Sequence, residues 1–512
     1  MLKHTKTKHK MSDVCIKCCL SLFTHLAKIH TIKMNIMKTE PEKVVDLTAV
    51  PRELWLDKYM GKGYRSACYV SPGKGMPGFI KLFGFDKTGK RTTFLCPHKC
   101  RIKYRVGYDT GEKDIFGNFV QTKEFESPFD RKRWIEDNHS IFIVQSMKPE
   151  QEFLFDLFKE VVLDSDFNQQ TMRIFYIDIE TEMGDQFEGP TTAAQRINMI
   201  TVYDTGTEKF HTWSLYDEPK NKFGEDSDLY VLHTFHNSEP IMLQWFVDWW
   251  SENMPDVVCG WNSEAFDVPY IIRRIENVFG EEDLGKKLCQ RLSPIGRYSK
   301  KINERDISKN ERANISAEIT VTINGLFLAD ALRLYRDKFQ IRPALDGGYG
   351  LANVGDVEGL GKKLDYSDEG KGTLRDLYMK NRQMFYEYNV RDVELLKNIE
   401  QKTKLIALAR RVTSIGLSDY GTVYGSASYL IQSLTIFAAT KMPTPAVFQT
   451  YMKDDFNGVP FEGAFVFPPV MGLFKGGVAD IDFNSLYPST IRSLNLSPET
   501  FVGKIESIEE VE

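Results

Sequence analysis

Ile174-Phe-Tyr-Ile-Asp-Ile-Glu180 decides how this chain is read. Ile174–Ile179 is a short apolar run rich in β-branched and aromatic residues, the pattern of a buried strand. Side chains alternate along a strand, so Asp178 and Glu180 project from one face at its end. Two carboxylates about 4 Å apart repel by roughly 4 kcal/mol at an effective dielectric of about 20. That repulsion calls for a proton, a cation or separation into solvent. A divalent ion answers it best, because Mg2+ takes hard oxygen ligands from one or two carboxylates. Taken alone, an Asp-x-Glu pair is common surface decoration.

The flanking sequence places this strand in a sheet. Ile197–Tyr203 and Lys209–Leu215 read as two more strands, turned by Asp204-Thr-Gly-Thr207. Met242–Trp250 suits a helix with an apolar face, and Asp256–Gly260 is another short strand leading to a helix from Val268. A further helix is predicted over Leu374–Thr403. A meander followed by strands and helices indicates an α/β domain of about 230 residues.

Upstream, residues 46–171 alternate short apolar runs with turns such as Asp86-Lys-Thr-Gly-Lys90, a strand-rich domain with nothing catalytic in it. Residues 1–45 are rich in Lys and His, carry Met11, Met34 and Met37, and lack core periodicity. They are expected to be a disordered extension or translation from too early a start; a cationic targeting segment is the other reading. Residues 297–312 form a highly charged insertion, either a solvated loop or a hairpin whose basic side chains contact phosphates.

Bulk properties bound the function. At 512 residues several domains are expected, and 42% hydrophobic with 27% charged residues is ordinary for a soluble globular protein. A net charge of -5 argues against wholesale coating of nucleic acid but not against local basic grooves. The eight cysteines are sparse, which favours a reduced compartment. Cys15 and Cys18 precede His25 and His30 with too short a gap for a zinc finger, and Cys96-Pro-His-Lys-Cys100 offers only three ligands. No apolar run approaches the ~20 residues of a membrane span.

Two more motifs follow. In Gly260-Trp-Asn-Ser-Glu-Ala-Phe-Asp267, the last residue precedes Val268-Pro269 and by itself reads as a helix N-cap. Capping is compatible with holding a metal-bound water. In Tyr388-Asn-Val-Arg-Asp392, the spacing of four puts Tyr388 and Asp392 on one helical face, by itself a half-buried Tyr beside an exposed Asp.

Taken in order, Asp-x-Glu on a strand, Asn-x-x-x-Phe-Asp at a helix start and Tyr-x-x-x-Asp on a helix resemble the proofreading exonuclease of family B DNA polymerases, a ribonuclease-H-like fold. The resemblance implies that Asp178, Glu180, Asp267 and Asp392 are catalytic, metal-binding acids and that Tyr388 orients the attacking water. It also implies that Asn262 and Phe266 hold the primer's terminal nucleotide. The chemistry implied is 3′→5′ phosphodiester hydrolysis by two Mg2+ (or Mn2+) ions about 3.5–4 Å apart. Single-stranded 3′ ends are the expected substrate, because the terminal base must be splayed into the site.

Asp482-Phe-Asn-Ser-Leu-Tyr-Pro-Ser489 resembles polymerase motif A of the same family, with the surrounding sequence most similar to the replicases of T-even-type tailed phages. By that resemblance Asp482 ligates Mg2+, Ser485 and Leu486 approach the triphosphate, and Tyr487 excludes a ribose 2′-OH. Pro488 is placed to begin a helix. Phe461-Glu-Gly-Ala464 stands where the family often has Tyr-x-Gly-Gly or Tyr-x-Gly-Ala, without the tyrosine hydroxyl. No Asp-Thr-Asp-Ser occurs, and two-metal nucleotidyl transfer needs that second carboxylate pair.

The expectation is therefore an α/β multidomain chain. Its parts are an extension (1–45), a strand-rich N-terminal domain (46–171), a ribonuclease-H-like exonuclease domain (172–404), a return segment (405–453) and an incomplete palm (454–512). It is expected to be the N-terminal portion of a split or truncated replicase. It would bind DNA primer–template and single-stranded 3′ ends, and use dNTP only with a second polypeptide carrying fingers, motif C and thumb. The expected setting is the cytoplasm of an infected bacterial cell, with no membrane contact. A free-standing 3′→5′ exonuclease and a non-catalytic assembly subunit or truncated product are the alternatives.

Overall fold

The computed structural model describes residues 42–71, 77–161, 172–182, 189–216, 229, 231–303, 318–361, 374–424, 427–442 and 444–448. Between 467 and 500 it describes all but 469, 474, 477, 478, 480–482, 484, 498 and 499.

The N-terminal part carries two small sheets. One orders β1 (Lys43–Asp46), β4 (Arg91–Pro97), β3 (Phe79–Asp86) and β2 (Met60–Val70). The other orders β6 (Val120–Phe125), β5 (Cys100–Arg105) and β7 (Ile143–Gln145). Helix α1 (Pro128–Asp137) starts where the Ser127 hydroxyl accepts from Asp130 N–H, with Pro128 in the first turn. Helix α2 (Pro149–Phe158) buries Phe153, Leu154, Leu157 and Phe158 in one core with Tyr64 and Leu82 of the first sheet and Trp55 of the turn just before β2. Cys96 and Cys100 are buried in the strands and His98 faces Glu152 at 3.6 Å, so the three do not converge as metal ligands.

The central sheet has six strands in the order β11-β10-β9-β8-β12-β15. These are β8 (Ile174–Thr181), β9 (Ile197–Asp204), β10 (Lys209–Ser214), β11 (Val231–Phe235), β12 (Val257–Gly260) and β15 (Phe327–Asp330). β8, β9 and β10 form the antiparallel meander expected from the sequence, while β12 and β15 add in parallel on the other side of β8. Helices cover both faces. Phe175, Ile177 and Ile179 point to one, against α3 (Glu239–Glu252) and α4 (Asp267–Phe279) through Phe246, Trp249 and Ile272. Tyr176 points to the other, against Tyr386, Val393 and Leu396 of α5 (Arg382–Thr403). This mixed, helix-flanked sheet is the ribonuclease-H-like arrangement.

The long helix predicted over Leu374–Thr403 is in fact two, Leu374–Lys380 and α5. Asn381 ends the first and caps the second, its side chain accepting from Met384 N–H at 3.1 Å. The charged insertion begins as a hairpin. β13 (Tyr298–Asn303) pairs antiparallel with β14 (Glu318–Ile323), and residues 304–317 lie outside the described residues.

After α5, helices α6 (Leu405–Ile415) and α7 (Ala427–Thr440) carry the chain back to the N-terminal sheets. Tyr64 Oη donates to Ser418 O at 3.0 Å, Gln151 Nε2 to the Ser433 hydroxyl at 3.1 Å, and Val447 N–H to Lys113 O at 2.8 Å. A buried ionic seam also joins the two parts. Asp256, just before β12, binds Arg65 and Arg91 from β2 and β4 and accepts from Arg173 N–H at 2.8 Å, and Arg65 also meets Glu42.

Candidate active site

Strand alternation builds the site. Tyr176, Asp178 and Glu180 share one face of β8, and that face lies under α5. Tyr176 Oη donates to Glu400 at 2.6 Å. Further along the strand, Asn389 Nδ2 donates to Asp178 Oδ2 at 2.6 Å. Asp392 stands one turn beyond Tyr388 on the same helix, and both are buried, at 2% and 9% exposure. The sequence pattern suggested an exposed aspartate there; packing of α5 onto the sheet buries it instead.

Asp178, Glu180 and Asp392 thus converge. One carboxylate oxygen from each lies within 4.8 Å of the others. Three acids this close repel strongly unless a cation or proton sits among them. The donors are all hard oxygens, the set that suits Mg2+ or Mn2+.

Asp267 is placed differently. It is the first residue of α4, with Phe266 rather than Asp267 in the cap position. The pairing of β8 with β12 ends at Tyr176 and Cys259, so β8 runs on past its neighbour. There Asp267 Oδ1 accepts from Ile179 N–H at 3.1 Å. Asp267 is 3% exposed and is held against the strand residue between Asp178 and Glu180, but it is not one of the three converging acids.

The loop Gly260–Phe266 joins β12 to α4. Gly260 has no room for a side chain: a Cβ there would stand 2.4 Å from Ser263 Cβ and 3.2 Å from Ile177 O. Asn262 is exposed and left-handed, with φ 67°, and half-buried Phe266 packs on Tyr270 at 5.3 Å between ring centres. Asp330, at the end of β15, pins this loop. Its carboxylate accepts from Glu264 N–H at 3.1 Å and Arg333 N–H at 3.0 Å. Burial raises the Asp330 pKa above the ordinary carboxylate value, against the pull of those N–H groups. Burial also raises Glu264, which Arg333 holds at 2.6 Å.

Asp330 and Asn389 were not anticipated from the sequence. Asn389 stood inside the quoted motif, three residues before Asp392 and so on its face of the helix. Asp330 gave no signal, because its role depends on two distant segments meeting.

In the second motif, Asp482 lies outside the described residues, as do Phe461–Ala464. Helix α8 (Leu486–Ser493) begins two residues before Pro488, with Ser485 left-handed at its cap. Leu486 and Tyr487 are 51% and 71% exposed.

Sequence comparison matches two stretches of the chain. Residues 131–354 match the model of the DNA polymerase family B exonuclease domain, and residues 420–512 match that of DNA polymerase family B. The chain is 26% identical over 444 residues to the DNA-directed DNA polymerase of Escherichia phage RB69, covering 80% of this chain and 43% of that protein. It is 27% identical over 446 residues to the DNA-directed DNA polymerase of Enterobacteria phage T4, covering 82% and 46%. With DNA polymerase 1 of Pyrococcus abyssi it shares 25% identity over 342 residues, covering 63% and 37%. The chain spans less than half the length of these relatives.

Proposed function

Because this chain belongs to DNA polymerase family B, we propose that its converging acids form a 3′→5′ exonuclease site acting on DNA ends. One observation carries the reading: Asp178, Glu180 and Asp392, more than 200 residues apart in sequence at the extremes, bring carboxylate oxygens within 4.8 Å of one another. Asp178, Glu180 and Asp392 would hold Mg2+ or Mn2+, with Asp267 as the fourth acid. Bound there, two divalent ions supply a nucleophile near neutral pH and charge stabilisation for the leaving oxygen.

The chain's own groups do the rest. Tyr388, one turn before Asp392, is assigned to orient the attacking water. Asn262 offers an exposed amide, and Phe266 a ring face for the terminal base. The β13–β14 hairpin, with Arg297 and Lys301 exposed, suits contact with phosphates. The proposed substrate is a single-stranded or frayed 3′ end, where no unpairing is needed. The proposed setting is the cytoplasm of an infected bacterial cell.

A contribution to template-directed synthesis is the second reading. The family match over 420–512 favours it, as does the apolar surface around α8, where Phe483, Tyr487 and Leu494 are 71%, 71% and 64% exposed. Further palm structure would cover such a surface, from a second polypeptide bringing fingers, motif C and thumb. In this reading Asp482, Ser485, Leu486 and Tyr487 bind Mg2+ and dNTP once that structure is in place.

The test is direct. Purified chain with Mg2+ or Mn2+ should shorten a 5′-labelled oligonucleotide stepwise from its 3′ end, and Asp178→Ala should not. An untouched oligonucleotide with either ion overturns the hydrolytic reading. Incorporation of dNTP by the chain alone would overturn the need for a complementing part.

A further inference from the structure

Asn389 is fully buried on α5, between Tyr388 and the inward-facing Asp392. Its amide orientation follows from chemistry: an ionised carboxylate only accepts, so the group 2.6 Å from Asp178 Oδ2 is the NH2 end. Its Oδ1 is buried and has no hydrogen-bond partner among the described residues. A buried amide left half-satisfied is a cost to folding. An apolar residue would fill this helix position without that cost, so stability alone does not account for Asn389.

Asp178 has two rotatable bonds and strong repulsion from Glu180 and Asp392, so on its own it would turn away from them. A lysine or arginine could hold it, but its charge would oppose an incoming cation. A neutral amide donor fixes the carboxylate and leaves its full negative charge in place. We propose that Asn389 is a positioning residue of the hydrolytic site, holding Asp178 turned toward Glu180 and Asp392 before a divalent ion arrives. The inference rests on the exonuclease reading above and adds to it a residue outside the acidic set.

The experiment is calorimetric titration of Mn2+ into the full chain and into Asn389→Leu, each first checked for fold by thermal melting in chelator. Partners that orient metal ligands are worth about 10–100-fold in affinity, so Asn389→Leu should bind Mn2+ at least about tenfold more weakly while melting as a folded protein. Folded Asn389→Leu that binds within about twofold of the parent overturns the inference. If the leucine variant does not fold, Asn389→Ser and Asn389→Ala replace it. They differ by one hydroxyl, and serine should bind Mn2+ more tightly; equal affinities overturn the inference. A parent that takes up no Mn2+ overturns the exonuclease reading as well. A parent that binds normally alongside an unaffected Asn389→Leu overturns this inference alone.

Discussion

Asp267 Oδ1 accepts the N–H of Ile179 at 3.1 Å, so the first residue of α4 is tied to the strand residue that separates Asp178 from Glu180. This bond gives Asp267 a structural role that can be separated from a chemical one. Asp267→Asn keeps an acceptor for Ile179 and removes the charge. Asp267→Ala removes both and leaves a buried N–H unmet. The alanine variant should lose about 1–3 kcal/mol of stability relative to asparagine in thermal or urea unfolding. Both should lower Mg2+-dependent hydrolysis of single strands by about 100-fold or more. Parental activity in Asp267→Asn would reduce Asp267 to a tie between helix and strand.

The three-acid cluster predicts an inverse relation between stability and activity. Without a cation, Asp178, Glu180 and Asp392 repel across less than 4.8 Å. Asp392→Asn should therefore melt higher than the parent in chelator, by about 1–2 kcal/mol at the midpoint, while losing hydrolysis. Added Mg2+ should raise the melting temperature of the parent and leave Asp392→Asn nearly unmoved. A variant that melts lower in chelator would mean that Asp392 is held by bonds worth more than the repulsion.

Much of this was legible in the sequence, and the failures are instructive. The run 174–180 gave the strand, its buried face and the shared direction of Asp178 and Glu180, because alternation is local. The meander was equally legible from its turns. The break at Asn381 was missed because helical periodicity continues across it, and only the cap bond to Met384 marks the restart. The burial of Asp392 depends on how α5 lies on the sheet, which no window of sequence contains. The sequence marked Asp256 only as the start of a short strand, since Arg65 and Arg91 reach it from well over a hundred residues away.

Acid sensitivity should centre first on His211. Burial beside Trp249, at 4.7 Å between ring centres, pushes its pKa down to about 4. A folded value below the ordinary ~6.5 means that the unfolded chain binds the proton more readily. The stabilising contribution is therefore whole above about pH 6.5 and is lost as pH falls toward 4, some ~3 kcal/mol in all. His211→Gln removes the titrating ring, so its unfolding free energy should change much less over that window. Urea unfolding at a series of pH values checks this; parallel slopes for parent and variant would exclude His211 as the source.

The seam at Asp256 predicts a second acid limb and a mechanical consequence. Burial alone would raise this carboxylate, but Arg65, Arg91 and the Arg173 N–H outweigh it and hold the pKa below the ordinary value. Its stabilisation is thus present above about pH 4 and disappears as pH falls through the lowered folded value, below the His211 window. Asp256→Ala strands Arg65, which is 1% exposed, and leaves it only Glu42 for an ionic partner among the described residues. Breaking a buried pair from one side costs about 3–5 kcal/mol. Because Asp256 joins the first N-terminal sheet to the edge of β12, that loss should fall on the junction. Scanning calorimetry should then resolve two transitions in Asp256→Ala where the parent shows one. A single transition, shifted down but still cooperative, would place the coupling in the contacts of Tyr64 and Gln151 with the returning chain instead.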